Sequence, residues 1–378
     1  MIKLIKRTIE DEVLSNLKEN KVVVIVGARR TGKTVLLDQI ADQVNEDYLI
    51  LNGEDNTVAE ILKKRSVQHY KNFLENKKLL IIDEAQKVEG IGDILKLMID
   101  EIMGLKILIT GSSAFDIANL TGEPLTGRKF TYHLYGFSEK EYLQNESKIE
   151  KIDNLPVRLV YGNYPELINL PERNQKLNYL QEIVNSYLLK DILAFENIRN
   201  SSKILNLLRL VAFQIGSEVS FQELGNKLSL SKNTVEKYLD LLSKVYILHK
   251  LEGFSRNLRK EISKNTKWYF YDNGIRNILI NNMNPIELRN DIGILWENYI
   301  ISERIKYQNY NQILSKNYFW RTYDQQEIDW IEERGGNLFA YEMKWKPQKT
   351  KIPAGWSKTY PESKFKIITS ENYLDWII

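Results

Sequence analysis

The chain has 378 residues, of which 43% are hydrophobic and 27% are charged, and its formal net charge is +3. This length favours two or three domains of ordinary globular composition, and the absence of cysteine excludes disulfides, thiolate zinc sites and a cysteine nucleophile. No apolar run approaches the roughly 18 residues of a membrane span, so we expect a cytoplasmic protein without membrane contact.

Most of the first 150 residues alternate short apolar segments with helical patterns. Alternation of this kind favours an α/β fold in which helices cover a parallel sheet. The predicted strands are residues 21–27, 48–52, 78–83, 105–110 and 129–137.

A phosphate-binding loop follows the first predicted strand. Its eight residues match G-x-x-x-x-G-K-[ST] and open a predicted helix over residues 35–43. In such a loop the backbone N–H groups face phosphate oxygens at a helix N-terminus. We expect Lys33 to reach the β and γ phosphates of ATP, and Thr34 to ligate Mg²⁺. The loop comprises Gly27, Ala28, Arg29, Arg30, Thr31, Gly32, Lys33 and Thr34.

A second apolar strand ends in two adjacent carboxylates, Asp83 and Glu84. At this distance after a phosphate-binding loop, the pattern indicates a site for metal and water. We expect Asp83 to hold Mg²⁺ and Glu84 to polarise the attacking water as a catalytic residue. The sequence therefore predicts an ATPase that uses ATP and Mg²⁺.

Two further polar residues are candidates for the same site. Ser112 lies in Thr110-Gly-Ser-Ser113, at the carboxyl end of a predicted strand, where ligands of open α/β sheets bind. It would orient the water or the γ-phosphate, and a helix N-cap is the equal alternative. Arg128 would stabilise transition-state charge, in its own subunit or in a neighbour within a homo-oligomer. A solvated arginine is the alternative.

The middle of the chain has a different pattern. We interpret residues 151–200 as a mostly helical lid or connector. From residue 201 the sequence predicts two helices, a tight turn, a third helix and then a strand pair. Val235, Leu239 and Leu242 form one apolar face of the third helix, which is typical of a helix-turn-helix.

The helix-turn-helix region is the basic part of the chain. Residues 203–267 contain twelve Lys or Arg and six Asp or Glu, whereas the net charge of the whole chain is only +3. This concentration favours contact with DNA. Glu236 and Asp240 on the outer face of the third helix would oppose phosphate, so a protein partner is the alternative.

Several motifs together resemble a known family of AAA-like archaeal and bacterial ATPases, in which a P-loop domain precedes the C-terminal domain of unknown function 4143. The resemblance implies a P-loop NTPase domain with a parallel sheet, then a helical connector, a winged helix and a restriction-endonuclease-like α/β domain. The motifs are Gly27-Ala-Arg-Arg-Thr-Gly-Lys-Thr34, Leu79-Leu-Ile-Ile-Asp-Glu-Ala-Gln86, Ile109-Thr-Gly-Ser-Ser113, Leu125-Thr-Gly-Arg128, Tyr161-Gly-Asn-Tyr-Pro-Glu166, Lys190-Asp191 and Lys267-Trp-Tyr-Phe-Tyr-Asp-Asn-Gly274.

The resemblance and the composition together predict four regions. All seven tryptophans lie from Trp268 onward, which marks a terminal region with different packing. Arg256, Arg259 and Lys260 would lie in the wing of the winged helix. The predicted regions are the ATPase domain 1–150, the connector 151–200, the winged helix 201–275 and the nuclease-like domain 276–378.

The terminal region contains an acid pattern similar to the D…E-x-K site of restriction-like nucleases. Glu342 and Lys344 share one face of a predicted strand, because alternate strand residues point the same way. Asp329 lies on the preceding strand, and Glu297 on a helix would be an additional acid. We expect Asp329 and Glu342 to share Mg²⁺. A structural ion pair in an inactive fold is the equal alternative.

Three functions remain open from the sequence. The first is an ATP-driven enzyme that contacts DNA through the winged helix and the terminal domain. The second is a signalling or scaffolding ATPase whose C-terminal domains bind protein partners and cut nothing. The third is a P-loop domain that binds nucleotide and hardly hydrolyses it.

Overall fold

The computed structural model describes residues 4–112, 125–188, 201–256 and 266–378. Within these ranges the chain forms two compact units, which meet in sequence between Gly136 and Phe137.

The first unit is an α/β domain with one parallel sheet, as the sequence predicts. Its strands are β1 (Lys21–Val26), β2 (Tyr48–Asn52), β3 (Leu79–Asp83), β4 (Lys106–Gly111) and β5 (Lys129–His133). Its helices are α1 (Glu10–Asn16), α2 (Lys33–Ala41), α3 (Asn56–Lys63), α4 (Val67–Leu74) and α5 (Ile91–Glu101), with a 3₁₀ turn at Ala85–Lys87. The strand order is β2-β3-β4-β1-β5, and all neighbours are parallel.

The strand order decides which loops meet. Strand β4 lies between β1 and β3, so the chain leaves three adjacent strands at the same edge of the sheet. The strands are continuous apolar runs because both of their faces are buried, as in other parallel sheets. The residues that follow or end these strands, Gly27, Asp83 and Gly111, are therefore brought together at the carboxyl edge.

The second unit combines helices with a six-stranded mixed sheet. Its helices are α6 (Glu139–Tyr142), α7 (Lys148–Tyr161), α8 (Arg173–Glu182), α9 (Ser201–Phe213), α10 (Phe221–Leu228), α11 (Lys232–Lys244), α12 (Asn273–Leu279), α13 (Ile292–Tyr310), α14 (Ala354–Thr359) and α15 (Leu374–Ile377). A π-helix covers Ile183–Leu188, and 3₁₀ turns cover Pro165–Asn169 and Ile286–Leu288. Its strands are β6 (Leu248–Gly253), β7 (Thr266–Phe270), β8 (Lys316–Arg321), β9 (Glu327–Arg334), β10 (Asn337–Met343) and β11 (Lys364–Ile368).

The strand pair predicted after the third helix is part of the terminal sheet. The order is β11-β10-β9-β8-β6-β7, and β6 pairs in parallel with β8 through Glu252–Tyr318 and Gly253–Phe319. The sheet therefore continues across the boundary that the sequence places between residues 275 and 276. Local periodicity finds both strands, but it carries no information about which strands pair over a long sequence distance.

The helix-turn-helix pattern forms as predicted in α10 and α11. Ser231 caps α11, and its hydroxyl oxygen accepts a hydrogen bond from the Thr234 backbone N–H over 3.1 Å. The predicted apolar face of α11 is buried, with Val235, Leu239 and Leu242 in one hydrophobic core. That core also takes residues from α8 and α9, so the described parts of the predicted connector and the helix-turn-helix share one interior.

Two sequence motifs of the second unit meet where α12 begins. The Asp272 carboxylate accepts hydrogen bonds from the backbone N–H groups of Asn163, over 2.6 Å, and Ile275, over 3.2 Å. Gly274 lies so close to the end of α7 that a Cβ there would be 2.0 Å from the Tyr161 carbonyl oxygen. The motif Lys267–Gly274 therefore holds the start of α12 against Tyr161–Asn163. Lys190 and Asp191 lie outside the described residues.

We expect Gly274→Ala to destabilise the second unit by about 1–3 kcal/mol, because the new methyl group must displace backbone atoms. Gly293→Ala is the matched control, since this helical glycine has open space within 4 Å, and alanine there should be neutral or stabilising. Urea unfolding would measure both variants. Equal midpoints would mean that α12 moves away from Tyr161 without cost.

Candidate functional site

The phosphate-binding loop joins β1 to α2 through two left-handed residues. Arg30 has φ 65° and Gly32 has φ 89°, and α2 begins at Lys33, directly after Gly32. At Gly27 a Cβ would lie 2.0 Å from the Leu134 carbonyl oxygen, so only glycine fits there. The loop therefore curls at the N-terminus of a helix, where backbone N–H groups have no intrahelical partner.

Lys33 is folded back into this loop. The side chain is 5% exposed, and its Nζ donates hydrogen bonds of 3.0 Å to the carbonyl oxygens of Gly27 and Ala28. The loop is held from behind by Arg7, whose guanidinium donates to the carbonyl oxygens of Thr31, over 2.7 Å, and Tyr135, over 2.6 Å. These bonds keep the ammonium group inside the loop that would surround phosphate.

Asp83, the last residue of β3, connects the end of the phosphate-binding loop to β4. The Thr34 hydroxyl donates to Asp83 Oδ2 over 2.7 Å, and the Thr110 hydroxyl donates to Asp83 Oδ1. Thr34 and Asp83 are the two residues that the sequence predicts as ligands of the Mg²⁺ bound with ATP. The sequence motif assigns no role to Thr110, although it is the second-last residue of β4, the strand that lies between β1 and β3.

Glu84 and Ser112 are linked by a residue that the sequence did not single out. Gln86 Nε2 donates hydrogen bonds to Glu84 Oε2, over 2.5 Å, and to Ser112 Oγ, over 3.1 Å. The backbone of Glu84 is left-handed, with φ 50°, and its N–H donates to the Thr110 hydroxyl over 3.0 Å. The position two residues after Glu84, in the turn Ala85–Lys87, was the only available signal for Gln86.

Arg128 lies at the opposite edge of the sheet from the loop. It directly precedes β5, which runs parallel to β1 with Val22 beside Lys129, so Arg128 is level with the start of β1. Six residue steps, or about 20 Å, separate this level from Gly27. The Arg128 Nε is 3.0 Å from Asp100 Oδ1. The expected role of Arg128 within its own subunit does not fit this geometry, and a role toward a neighbouring subunit stays a prediction.

The four residues of the predicted nuclease pattern lie in one cluster of the second unit. Lys344 Nζ is 2.7 Å from Glu342 Oε1, and Asp329 Oδ2 accepts a hydrogen bond of 2.8 Å from the Met343 backbone N–H. Glu297 Oε1 accepts a hydrogen bond of 2.7 Å from the Tyr269 hydroxyl. Burial, together with the charge of Asp329, raises the pKa of Glu297 to about 8.

Lys267 and Glu327 complete this cluster, and the sequence pattern did not predict that they would. Lys267 is 1% exposed, and its Nζ forms an ion pair with Glu327 Oε1. Burial alone would lower the pKa of Lys267, but the carboxylates of Glu297, Glu327 and Asp329 raise it above its ordinary value. Lys267 opens a motif that carries the family resemblance, and Glu327 lies two residues before Asp329.

The outer face of the helix-turn-helix carries charges of both signs. Lys232, Glu236 and Lys237 are exposed, and Lys244 Nζ is 2.7 Å from Asp240 Oδ2. Of the residues predicted for a wing, Arg256 forms an ion pair of 2.8 Å with Glu333. The other two, Arg259 and Lys260, lie outside the described residues.

Three family models match successive parts of the chain. Residues 19–143 match the model described as AAA domain, and residues 292–373 match the domain of unknown function DUF4143. The chain contains an AAA domain and a C-terminal DUF4143 domain. Between them, residues 152–286 match a third model, the domain of unknown function DUF8612, which spans the described part of the shared helical core.

Relatives with this kind of sequence occur in archaea and bacteria. An uncharacterized protein of Methanocaldococcus jannaschii is 28% identical over 272 residues, which are 67% of this chain and 60% of that protein. An uncharacterized protein of Haemophilus influenzae is 26% identical over 344 residues, which are 85% of this chain and 81% of that protein. The match with the archaeal relative thus spans less than two thirds of that relative.

A solved structure supports the α/β fold with a parallel sheet. A Walker-type ATPase of Pyrococcus abyssi is similar over 73% of this chain and 96% of its own, with a TM-score of 0.50 and 14% identity. At this identity the similarity concerns the fold alone. No helix among the described residues is long and apolar enough to cross a membrane.

Proposed function

We propose that this protein hydrolyses ATP with Mg²⁺ in the AAA domain, and that its nucleotide state changes what the second unit binds. The observation that carries this proposal is the 2.7 Å hydrogen bond between Thr34 Oγ1 and Asp83 Oδ2. It brings the hydroxyl at the end of the phosphate-binding loop to the carboxylate at the end of β3, and hydroxyl and carboxylate oxygens are ligands that Mg²⁺ prefers.

The residues present fit a magnesium nucleotide. The N-terminus of α2 offers backbone N–H groups to phosphate oxygens, and Lys33 already lies within the loop. Thr34 and Asp83 would hold Mg²⁺, which supplies positive charge to the phosphate oxygens when bound. The Lys33 ammonium would exchange two carbonyl oxygens for phosphate oxygens.

Glu84 is the base in this proposal. Its carboxylate would accept a proton from the attacking water, and Gln86 would hold the carboxylate in position through the hydrogen bond to Oε2. Because Gln86 also donates to Ser112, a γ-phosphate that engages Ser112 would alter the position of Glu84. Gln86 is thus a positioning residue between the base and the end of β4.

DNA is the partner that we propose for the helix-turn-helix. The supporting observations are the excess of Lys and Arg over residues 203–267 and the ion pair that neutralises Asp240 with Lys244. Glu236 remains exposed on the same face and opposes phosphate. A protein partner is therefore the alternative outcome of the test, and DNA cleavage is not part of the proposal.

Lys33→Ala should abolish ATP binding, whereas Glu84→Gln should bind ATP and fail to hydrolyse it, because the lysine contacts phosphate and the glutamate acts on water. Isothermal calorimetry and phosphate release would measure the two steps. Lys96→Ala, an exposed lysine of α5, is the control and should match the wild type. Normal turnover by Glu84→Gln would remove Glu84 from the catalytic role.

Gln86→Ala should lower kcat roughly tenfold and leave the affinity for ATP unchanged, since losing one hydrogen bond to a carboxylate costs on the order of 1.5 kcal/mol. Gln68→Ala, an exposed glutamine of α4, is the control. Steady-state kinetics separate kcat from KM. A rise in KM at constant kcat would contradict a positioning role.

Lys232→Ala combined with Lys237→Ala should weaken duplex binding and reduce the slope of log Kd against log salt by about 0.9 for each lost phosphate contact. Lys71→Ala combined with Lys96→Ala in the AAA domain is the control pair, because these lysines are also exposed. Fluorescence anisotropy over a salt series would measure the slope. A slope equal to that of the wild type would reject this surface and favour the protein partner.

A further inference from the structure

The acid cluster of the second unit has the residues of a metal site and an arrangement that does not fit one. Among the residues that the structure describes, no group of three or more His, Asp or Glu side chains is placed to hold a metal ion. The Mg²⁺ expected between Asp329 and Glu342 therefore finds no ready donor set. The negative charge of the carboxylates is compensated by other groups of the chain.

We propose that the Lys267 ammonium takes the place of a divalent cation in this cluster, so that the chain itself supplies the positive charge of the terminal site and the site binds no metal. Lys267 comes from β7, at one end of the sheet order, whereas Glu327 and Asp329 come from β9 and Glu342 from β10. The positively charged side chain therefore belongs to a third strand, β7, and not to the strands that carry the acids.

Burial makes the ammonium a permanent part of the cluster. Lys267 is 1% exposed, and a buried ammonium must keep an opposite charge or lose its proton. Its Nζ pairs with Glu327 and lies 5.2 Å from the centroid of the Phe319 ring, which adds a cation–π contact. Lys267 therefore stays charged and stays in place.

One carboxylate oxygen of each of three acids already has a partner within the chain. Glu297 Oε1 is bound to the Tyr269 hydroxyl, Asp329 Oδ2 to the Met343 N–H, and Glu342 Oε1 to Lys344. Mg²⁺ requires near-octahedral oxygen ligands at about 2.0–2.1 Å, so a metal bound by these three oxygens would compete with the partners that they already have.

Two lysines compensate two of the four carboxylates of the cluster without a metal. Two ion pairs, Lys267 with Glu327 and Lys344 with Glu342, leave Asp329 and Glu297. Burial and the charge of Asp329 raise the pKa of Glu297. On the flank, Arg321 lies 3.7 Å from Glu327 and 3.6 Å from Glu218. A divalent cation would add two further positive charges beside a buried ammonium.

The test is Mn²⁺ binding by the full-length protein without nucleotide, followed by electron paramagnetic resonance of free Mn²⁺. The wild type should bind no more Mn²⁺ than Asp329→Asn does, because the cluster contributes no site. Lys267→Gln should gain a Mn²⁺ site at least tenfold tighter than any in the wild type, and adding Asp329→Asn should remove it. Lys250→Gln, whose lysine pairs with Glu252 on the surface of the same sheet, is the control and should gain nothing.

Three results would overturn the proposal. One is Mn²⁺ binding by the wild type that Asp329→Asn abolishes, and another is a folded Lys267→Gln protein without a new site. If Lys267→Gln fails to fold, Lys267→Arg, which retains the charge, should fold and bind no additional Mn²⁺. A new Mn²⁺ site in Lys267→Arg is the third result that would overturn the proposal. The comparison of Mn²⁺ binding between the wild type and Asp329→Asn decides the proposal even if no lysine variant folds.

Discussion

The carboxylate of Asp83 is the interaction on which the candidate nucleotide site depends. It accepts hydrogen bonds from Thr34 and Thr110, which belong to α2 and to the strand between β1 and β3. Only the order β3-β4-β1 brings these three segments to one edge. The buried apolar strands thus have a direct chemical consequence, because they fix the positions of the polar groups that follow them.

The second unit depends on charged groups that are buried in pairs. Arg304 and Glu332, which are 4% and 0% exposed, are 2.6 Å apart, and Lys306 lies 2.6 Å from Glu303. Such pairs contribute little net stability compared with apolar residues of the same size, but removing one partner is costly. The Arg304–Glu332 pair, which joins α13 to β9, therefore favours one arrangement of α13 against the sheet. Lys267 is likewise a buried cation paired with a carboxylate.

The two sites differ in how they treat a buried lysine. Lys33 is bound by neutral carbonyl oxygens, which a phosphate can replace with a gain in electrostatic energy. Lys267 is bound by carboxylates, whose replacement would leave buried charges without compensation. The first arrangement is open to an anionic ligand and the second is closed to a cation. The contrast favours the AAA domain as the place of the proposed nucleotide chemistry.

The sequence alone determined the elements whose signals are local. The loop 27–34, the adjacent acids Asp83 and Glu84, the parallel α/β domain and the helix-turn-helix all follow from periodicity and spacing within a few residues. The spacing of Glu342 and Lys344 also placed them on one face of a strand. The tertiary structure alone decided that Arg128 lies at the far edge of the sheet and that β6 and β7 join the terminal strands. It also decided that Gln86 joins Glu84 to Ser112 and that Lys267 enters the acid cluster. These outcomes depend on which strands and side chains meet over long sequence distances, and a local pattern carries no record of that pairing.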